Sequence, residues 1–356
     1  MFNITWPPIP SRKVTLALSI TAIAAALLAC SLPKTTPTAF SQPANTLTPP
    51  AAATQPAASM PVATPSPLHI PPTPNLTPSP TPHTNFNVGK LSSVEKNIVY
   101  CAVDEVLLFL DIYYPAMANR SWPVVILLHG GGWSSGDKAG GIAQSYAEPL
   151  QQAGFLVAAV NYRLSPEFIF PAHLEDAKCA VRYLRAHAAD YNLDADHIGV
   201  LGFSAGGHLA ALLGTTDRSA GFDDTGSYLS RSSRVQAVVD ISGPTNLRLF
   251  CDPGIVARVF GASSCNDRDT LFPTDPASYI SADDPPFLII HGSRDRAVAI
   301  EHSYALKESL DEGGVPATLL VVQNAGHSYT PLSEPMEPSL EQVTQIIIQF
   351  FTDTLF

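Results

Sequence analysis

Ser204 stands in Gly202-Phe203-Ser204-Ala205-Gly206, directly after the apolar run Ile198-Gly199-Val200-Leu201. A serine between a strand and a helix is an arrangement that activates a hydroxyl. Small residues two before and two after it let the backbone take a strained turn, and the hydroxyl clears the sheet beside a helix N-terminus. The chemistry such a serine does is acyl transfer, which also needs oxyanion donors, a base, and an acid to orient the base. A Gly-x-Ser-x-Gly turn alone also suits a purely structural role, so those other parts carry the reading.

The glycine run His129-Gly130-Gly131-Gly132-Trp133 follows the strand-like Pro123–Leu128. Without side chains in the way, backbone N–H groups can approach a developing oxyanion. The expected donors are Gly131 and Gly132 together with Ala205, the residue after the serine. A phosphate loop is the competing reading, but no Lys-Ser/Thr follows. The acid expected is Asp295, in a turn that ends the short apolar strand Phe287–His291, where it can reach the nucleophile's rim. Asp240 also ends a strand but suits a structural role equally well. Asp283 and Asp284 precede their strand and belong at the opposite rim. Of the ten histidines, His327 alone follows a strand C-terminal to the acid, with Gly326 expected to let its loop fold inward. His208 is expected to pack within the helix after Ser204. The order Ser204, Asp295, His327 is that of the α/β-hydrolases.

These residues need a scaffold that brings strand ends together. Asn97–Val103 and Val106–Tyr114 read as an antiparallel hairpin turning at Asp104-Glu105. Six more strands follow at Val124–Leu128, Leu156–Asn161, Ile198–Phe203, Val235–Ile241, Phe287–His291 and Ala317–Gln323. Helices are expected at Gly141–Gln152, Pro171–Asp190, Ala205–Leu213, Glu301–Gly313 and Leu340–Thr354. Strands alternating with helices predict an α/β fold, a mostly parallel eight-stranded sheet with helices on both faces. Two irregular segments, Asp217–Ser233 and Thr245–Ala277, are expected over the rim as loops or a small lid that governs substrate choice.

Composition divides the 356 residues unevenly. Residues 1–30 read as a signal peptide: Arg12 and Lys13, then the apolar run Val14–Ala29, then Cys30. Leu27-Leu28-Ala29-Cys30 resembles a bacterial lipobox, which makes Cys30 a lipidation candidate. Its alternatives are an ordinary cleaved signal or a short membrane anchor. Residues 31–86 are mostly Pro, Thr, Ala and Ser, expected to form a disordered, semi-rigid stalk reaching on the order of 150 Å at about 3 Å per residue. Residues 87–356 form the folded domain. The protein is therefore expected to be exported, held at the cell envelope as a lipoprotein or else secreted, meeting membrane only through its lipid anchor. The formal net charge of −11 and the lack of a basic cluster argue against nucleic acid. No dinucleotide fingerprint and no Cys/His metal spacing is present, so no cofactor and no metal is expected. Of five cysteines, Cys251 and Cys265 are candidates for a disulfide. Cys101 and Cys179 read as buried free thiols.

Several of these motifs together resemble a known family. His129–Trp133, Asn161-Tyr162-Arg163-Leu164-Ser165-Pro166-Glu167, Phe170-Pro171-Ala172 and Gly202–His208 are similar to the α/β-hydrolase esterases related to hormone-sensitive lipase. The run Asp176–Arg185, Asp284-Pro285-Pro286-Phe287-Leu288 and His291-Gly292-Ser293-Arg294-Asp295 resemble the BD-FAE-like group, which contains feruloyl and acetyl-xylan esterases. Phe203 stands where the lipase-related pattern carries Asp, which points to the BD-FAE-like branch. The resemblance runs from about Asn97 to the C-terminus. It implies Ser204 as nucleophile, His327 as base, Asp295 as its orienter, and hydrolysis of short-chain or carbohydrate-linked acyl esters. Kynurenine formamidases share the His-Gly-Gly-x-Trp signature, which keeps an amide substrate open. A non-catalytic binding module on a hydrolase fold is the reading from another class.

Overall fold

The computed structural model describes residues 88–356 except 119–120, 249–250 and 331–332. The signal segment with Cys30 and the stalk of residues 31–86 lie outside the described residues.

Two hydrophobic periods build the domain. The central strands β3 (Trp122–Leu128), β4 (Leu156–Val160), β5 (Leu193–Phe203), β6 (Ala237–Ile241) and β7 (Phe287–Gly292) are buried on both faces, β5 from Ile198 onward, as parallel strands covered on both sides must be. β1 (Val94–Val103) and β2 (Val106–Tyr113) form the expected hairpin, with Asp104 and Glu105 both at positive φ in its turn. β8 (Ala317–Val322) closes the far edge. The strand order is β1-β2-β4-β3-β5-β6-β7-β8, with antiparallel pairing confined to β1–β2 and β2–β4. From β4 through β3 to β8 all pairs are parallel, so their C-terminal ends share one rim.

Alternate strand residues feed two cores. Val125, Leu127, Val157, Leu201 and Val239 pack beneath α1 (Gly141–Gln152) and α8 (Leu340–Leu355). Val124, Ile126, Val200, Val238 and Ile289 pack beneath α2 (Ala172–Ala186), α4 (Ala205–Thr215) and α7 (Glu301–Glu312). The helix expected over Pro171–Asp190 is interrupted. α2 stops at His187, and a short α3 (Ala188–Tyr191) ends at Asn192 in the left-handed region. Two further helices, α5 (Pro253–Phe260) and α6 (Arg268–Leu271), lie within the segment expected as a lid.

Two expectations are corrected. Cys101 and Cys179 are not free thiols but a disulfide, with Cα atoms 6.4 Å apart. α2 lies across β1, which brings together cysteines 78 residues apart in sequence, and no local spacing announces that. Cys251 and Cys265 are joined as well, Cα to Cα 5.7 Å. The segment Asp217–Ser233 is also not a lid over Ser204, for it is bolted to α2. Asp223 accepts from Lys178 and Arg182, and Arg182 also donates to the carbonyls of Thr225 and Ser227. Burying two cations along one helix requires acceptors there, and this segment supplies them.

Candidate active site

β5 delivers Ser204 to the common rim, and the chain reverses there into α4. Ser204 takes φ 55° and ψ −119°, a conformation that costs a non-glycine residue on the order of 1–3 kcal/mol. The surroundings enforce it. The Ser204 N–H donates to the Ile241 carbonyl at 2.8 Å, and the Ser204 carbonyl accepts from the His208 N–H at 3.1 Å. The flanking glycines are steric necessities. A Cβ on Gly202 would strike the Gly206 carbonyl, one on Gly206 the Leu128 carbonyl, and one on Gly207 the Asp240 carboxylate. The turn is thus wedged between the ends of β3 and β6.

The Ser204 hydroxyl donates to His327 Nε2 at 3.0 Å, and His327 Nδ1–H donates to Asp295 Oδ2 at 2.7 Å. The loops after β7 and β8 that carry this pair are tied to each other. The Arg294 N–H donates to the Ala325 carbonyl, and the Asn324 N–H to Ser293 Oγ. Gly326 was expected to fold the His327 loop inward. Instead Asn324 (φ 60°) and Tyr329 (φ 53°) take the left-handed turns. The Tyr329 hydroxyl anchors the loop by donating to the Ile290 carbonyl at 3.0 Å.

Asp295 has a buried side chain. Burial alone would raise its pKa. Bonds from His291, His327 and the Val298 N–H outweigh that and hold the carboxyl well below its ordinary range. Its Oδ1 accepts from the N–H groups of Ala297 and Val298 at 2.8 and 2.9 Å. His291, buried at the end of β7, is a functional neighbour that the sequence reading passed over. Its Nε2–H donates to the Val298 carbonyl at 3.0 Å and lies 3.4 Å from Asp295 Oδ2, while its Nδ1 accepts from Ser303 Oγ at 2.6 Å. The available signal was its place in the Asp295 run, four residues earlier.

The rival acids lie elsewhere. Asp240 is buried at the end of β6 opposite Gly202, with Oδ1 accepting from the Gly243 N–H and Oδ2 unbonded among the described residues. Burial pushes its carboxyl up to about 7, against the pull of His291. Asp284 pairs with Arg234 ahead of β6, at the opposite rim as expected.

The glycine run faces the elbow. A Cβ on Gly130 would come within 2.9 Å of the Phe203 ring. Gly131 and Gly132 have φ of 122° and 58°, which other residues rarely adopt. The Gly131 carbonyl is turned away to accept the N–H groups of Ser134 and Ser135. Among the described residues, no acceptor is bonded to the N–H of Gly131, Gly132 or Ala205, so all three remain available as donors.

The stretch after β4 braces that run. Asn161 ties the Lys138 N–H and Asp137, and the Tyr162 hydroxyl donates to the His129 carbonyl. The Ser165 N–H holds the Trp133 carbonyl, and Arg163 is clamped on Asp176 of α2. Above, His208 Nε2–H donates to the Thr274 carbonyl at 2.7 Å, and Trp133 packs edge-on against Phe260. Burial pushes His208 down to about 4, so it is neutral and structural. The Thr245–Ala277 segment therefore covers this side of the rim, as expected. An apolar cavity of about 190 Å³ lined by Ile142, Tyr146, Phe203, Ile241 and Tyr329 adjoins the elbow.

The BD-FAE family model matches residues 110–310, more than half of the chain. This chain belongs to the BD-FAE family. As a BD-FAE protein it is 31% identical over 195 residues to the probable carboxylic ester hydrolase LipM of Mycobacterium tuberculosis, covering 53% of this chain and 44% of LipM. To esterase LipQ of the same organism it is 30% identical over 231 residues, 62% of this chain and 54% of LipQ. The chain thus spans about half the length of these curated relatives. Among solved structures, a truncated carbohydrate esterase from gut microbiota superposes with a TM-score of 0.65 at 31% identity, over 75% of this chain and 98% of that one. An acetyl ester-xyloside bifunctional hydrolase from Caldicellulosiruptor lactoaceticus gives 0.60 at 27%, over 70% and 89%. The BD-FAE core, with its eight-stranded sheet, is an α/β-hydrolase fold.

Proposed function

We propose that this protein is a serine carboxylic-ester hydrolase acting on short-chain or carbohydrate-linked acyl esters. The observation that carries the reading is the unbroken hydrogen-bond chain Ser204–His327–Asp295. His327 Nε2 takes the Ser204 proton as Oγ attacks the ester carbonyl. Asp295 holds the tautomer that leaves Nε2 free and stabilises the imidazolium. The N–H groups of Gly131, Gly132 and Ala205 receive the oxyanion. Collapse expels the alcohol with a proton from His327, leaving an acyl-enzyme. Water activated by the same nitrogen then releases the acid. The carbohydrate and acetyl esterases among the structural relatives support the substrate class.

The test is kcat/KM on p-nitrophenyl acetate to octanoate, methyl ferulate, acetylated xylan and N-formylkynurenine, with Ser204→Ala as blank. Ser204-dependent turnover that is fastest on short or sugar-linked esters is expected. Preference for the formamide would replace the ester reading with amide hydrolysis, and Ser204-independent turnover would refute the nucleophile.

For location, the reading is export with lipidation at Cys30. Two disulfides in the domain support an oxidising compartment. Mass spectrometry of the mature N-terminus tests it, and an unmodified Cys30 or an intact signal would refute it.

A further inference from the structure

Resting on that reading, we propose that the preferred substrate is an ester whose leaving alcohol carries a carboxylate, held by Arg294 and Arg296. An open cleft of about 540 Å³ is lined by His327 together with Arg294 and Arg296. The position of His327 says which part of a substrate lies there. The departing oxygen takes its proton from His327 Nε2, so the alcohol side of the ester leaves over the imidazole and into this cleft.

The cleft's charge runs against that of the whole chain, which has 31 acidic and 20 basic residues. In Arg294-Asp295-Arg296 the carboxylate turns inward and is consumed by His327, His291, Ala297 and Val298. Both guanidinium-bearing residues are exposed. Asp295 therefore offers little to neutralise them at the cleft. Arg294 Nη1 donates to Ser333 Oγ at 2.9 Å, and its closest acid, Glu334, is 3.8 Å away with a side chain 66% exposed. Arg296 has no ion pair among the described residues. A planar guanidinium matches a carboxylate in a two-point fork, which an uncharged hydroxyl or amide cannot reproduce. An acidic sugar esterified through a hydroxyl is one alcohol of this kind.

The test compares 3-carboxyphenyl acetate with 3-carbamoylphenyl acetate on the full chain. The two share an acyl group and a similar shape, and each rate is normalised to that ester's hydroxide hydrolysis. At about 20 mM salt the anionic ester is expected to lead in kcat/KM by roughly fivefold, the scale of one partly exposed arginine–carboxylate contact. The lead should shrink towards unity as sodium chloride rises to about 0.5 M, where the screening length is only a few ångströms. This titration of the parent protein needs no variant. Arg294→Gln with Arg296→Gln should bring the ratio to about one. Lys96→Gln with Arg231→Gln, the same loss of two charges outside the cleft, should keep the parent's ratio. Ser204-dependent turnover with no preference for the anion, or a preference that survives the double substitution, overturns the arginine proposal and leaves ester hydrolysis standing. If neither ester is hydrolysed in a Ser204-dependent way, the ester-hydrolase reading fails and this inference fails with it.

Discussion

At the scale of single residues, two carboxyl groups, Asp295 bonded to His327 and Asp240 packed against Gly207, are driven in opposite directions. Asp295 is held ionised by its donors, and burial holds Asp240 up to about 7. The signs follow from linkage. Asp295 binds its proton less readily folded than unfolded, so its stabilisation is full above about pH 4 and is lost as pH falls below that. Asp240 binds its proton more readily folded than unfolded. Stability therefore declines as pH rises from about 4 to 7, and the decline is complete above 7. Asp240→Asn should flatten that slope, gaining on the parent by up to a few kcal/mol between pH 4 and pH 8. Thermal melts at the two pH values read this directly, and an equal offset at both would refute it. In the proposed mechanism, His291 is a positioning residue that fixes Asp295. His291→Gln is expected to lower kcat/KM by about 10–100-fold, since small misplacements of a catalytic group cost this much. Asp295→Asn should cost on the order of 10⁴, if the figure known for a serine-protease triad carries over. A His291→Gln rate equal to that of the parent would remove His291 from the site. His291 was legible only as part of a motif. Nothing in its spacing says that its ring turns back under Asp295, because that depends on where Ser303 and Val298 lie in α7 and the turn before it.

At the scale of elements, the elbow sets the site and the β1–α2 disulfide joins the edge hairpin to a covering helix. Gly206 has no room for a methyl group, because the β3 end passes directly over it. Gly206→Ala should lose activity by at least 10²-fold, with the Ser204 hydroxyl displaced, and retained full activity would contradict this packing. The Cys101–Cys179 bond closes a long loop, so Cys101→Ser with Cys179→Ser should lower stability by about 2–4 kcal/mol. Chemical denaturation under non-reducing conditions measures this, and a midpoint equal to the parent's would show the bond to be idle. The strands, the order of helices and the elbow were legible because their periodicities and turn residues are local. The break at His187, the docking of Asp217–Ser233 on α2 and the left-handed turns at Asn324 and Tyr329 were not. Each answers to a partner distant in sequence.

At the scale of the whole molecule, the folded unit and the proposed stalk make separate claims. If residues 31–86 act as a spacer, shortening them should leave kcat/KM on soluble esters unchanged within about twofold. The same change should lower turnover of an insoluble acylated polymer by cells that display the protein. Loss on both substrates would show that the segment belongs to the catalytic unit.

The sequence by itself determined the α/β class, the order of parts and the candidates Ser204, Asp295 and His327, because a strand-end nucleophile, a glycine run, an acid and a histidine leave their marks in short local patterns. Only the tertiary structure set Asp295 against His327 and Asp240 against Gly243, joined Cys101 to Cys179, placed His291 behind the acid and gathered two arginines into one cleft with His327. Those relations are distances between loops brought together by strand pairing, and no local spacing encodes them.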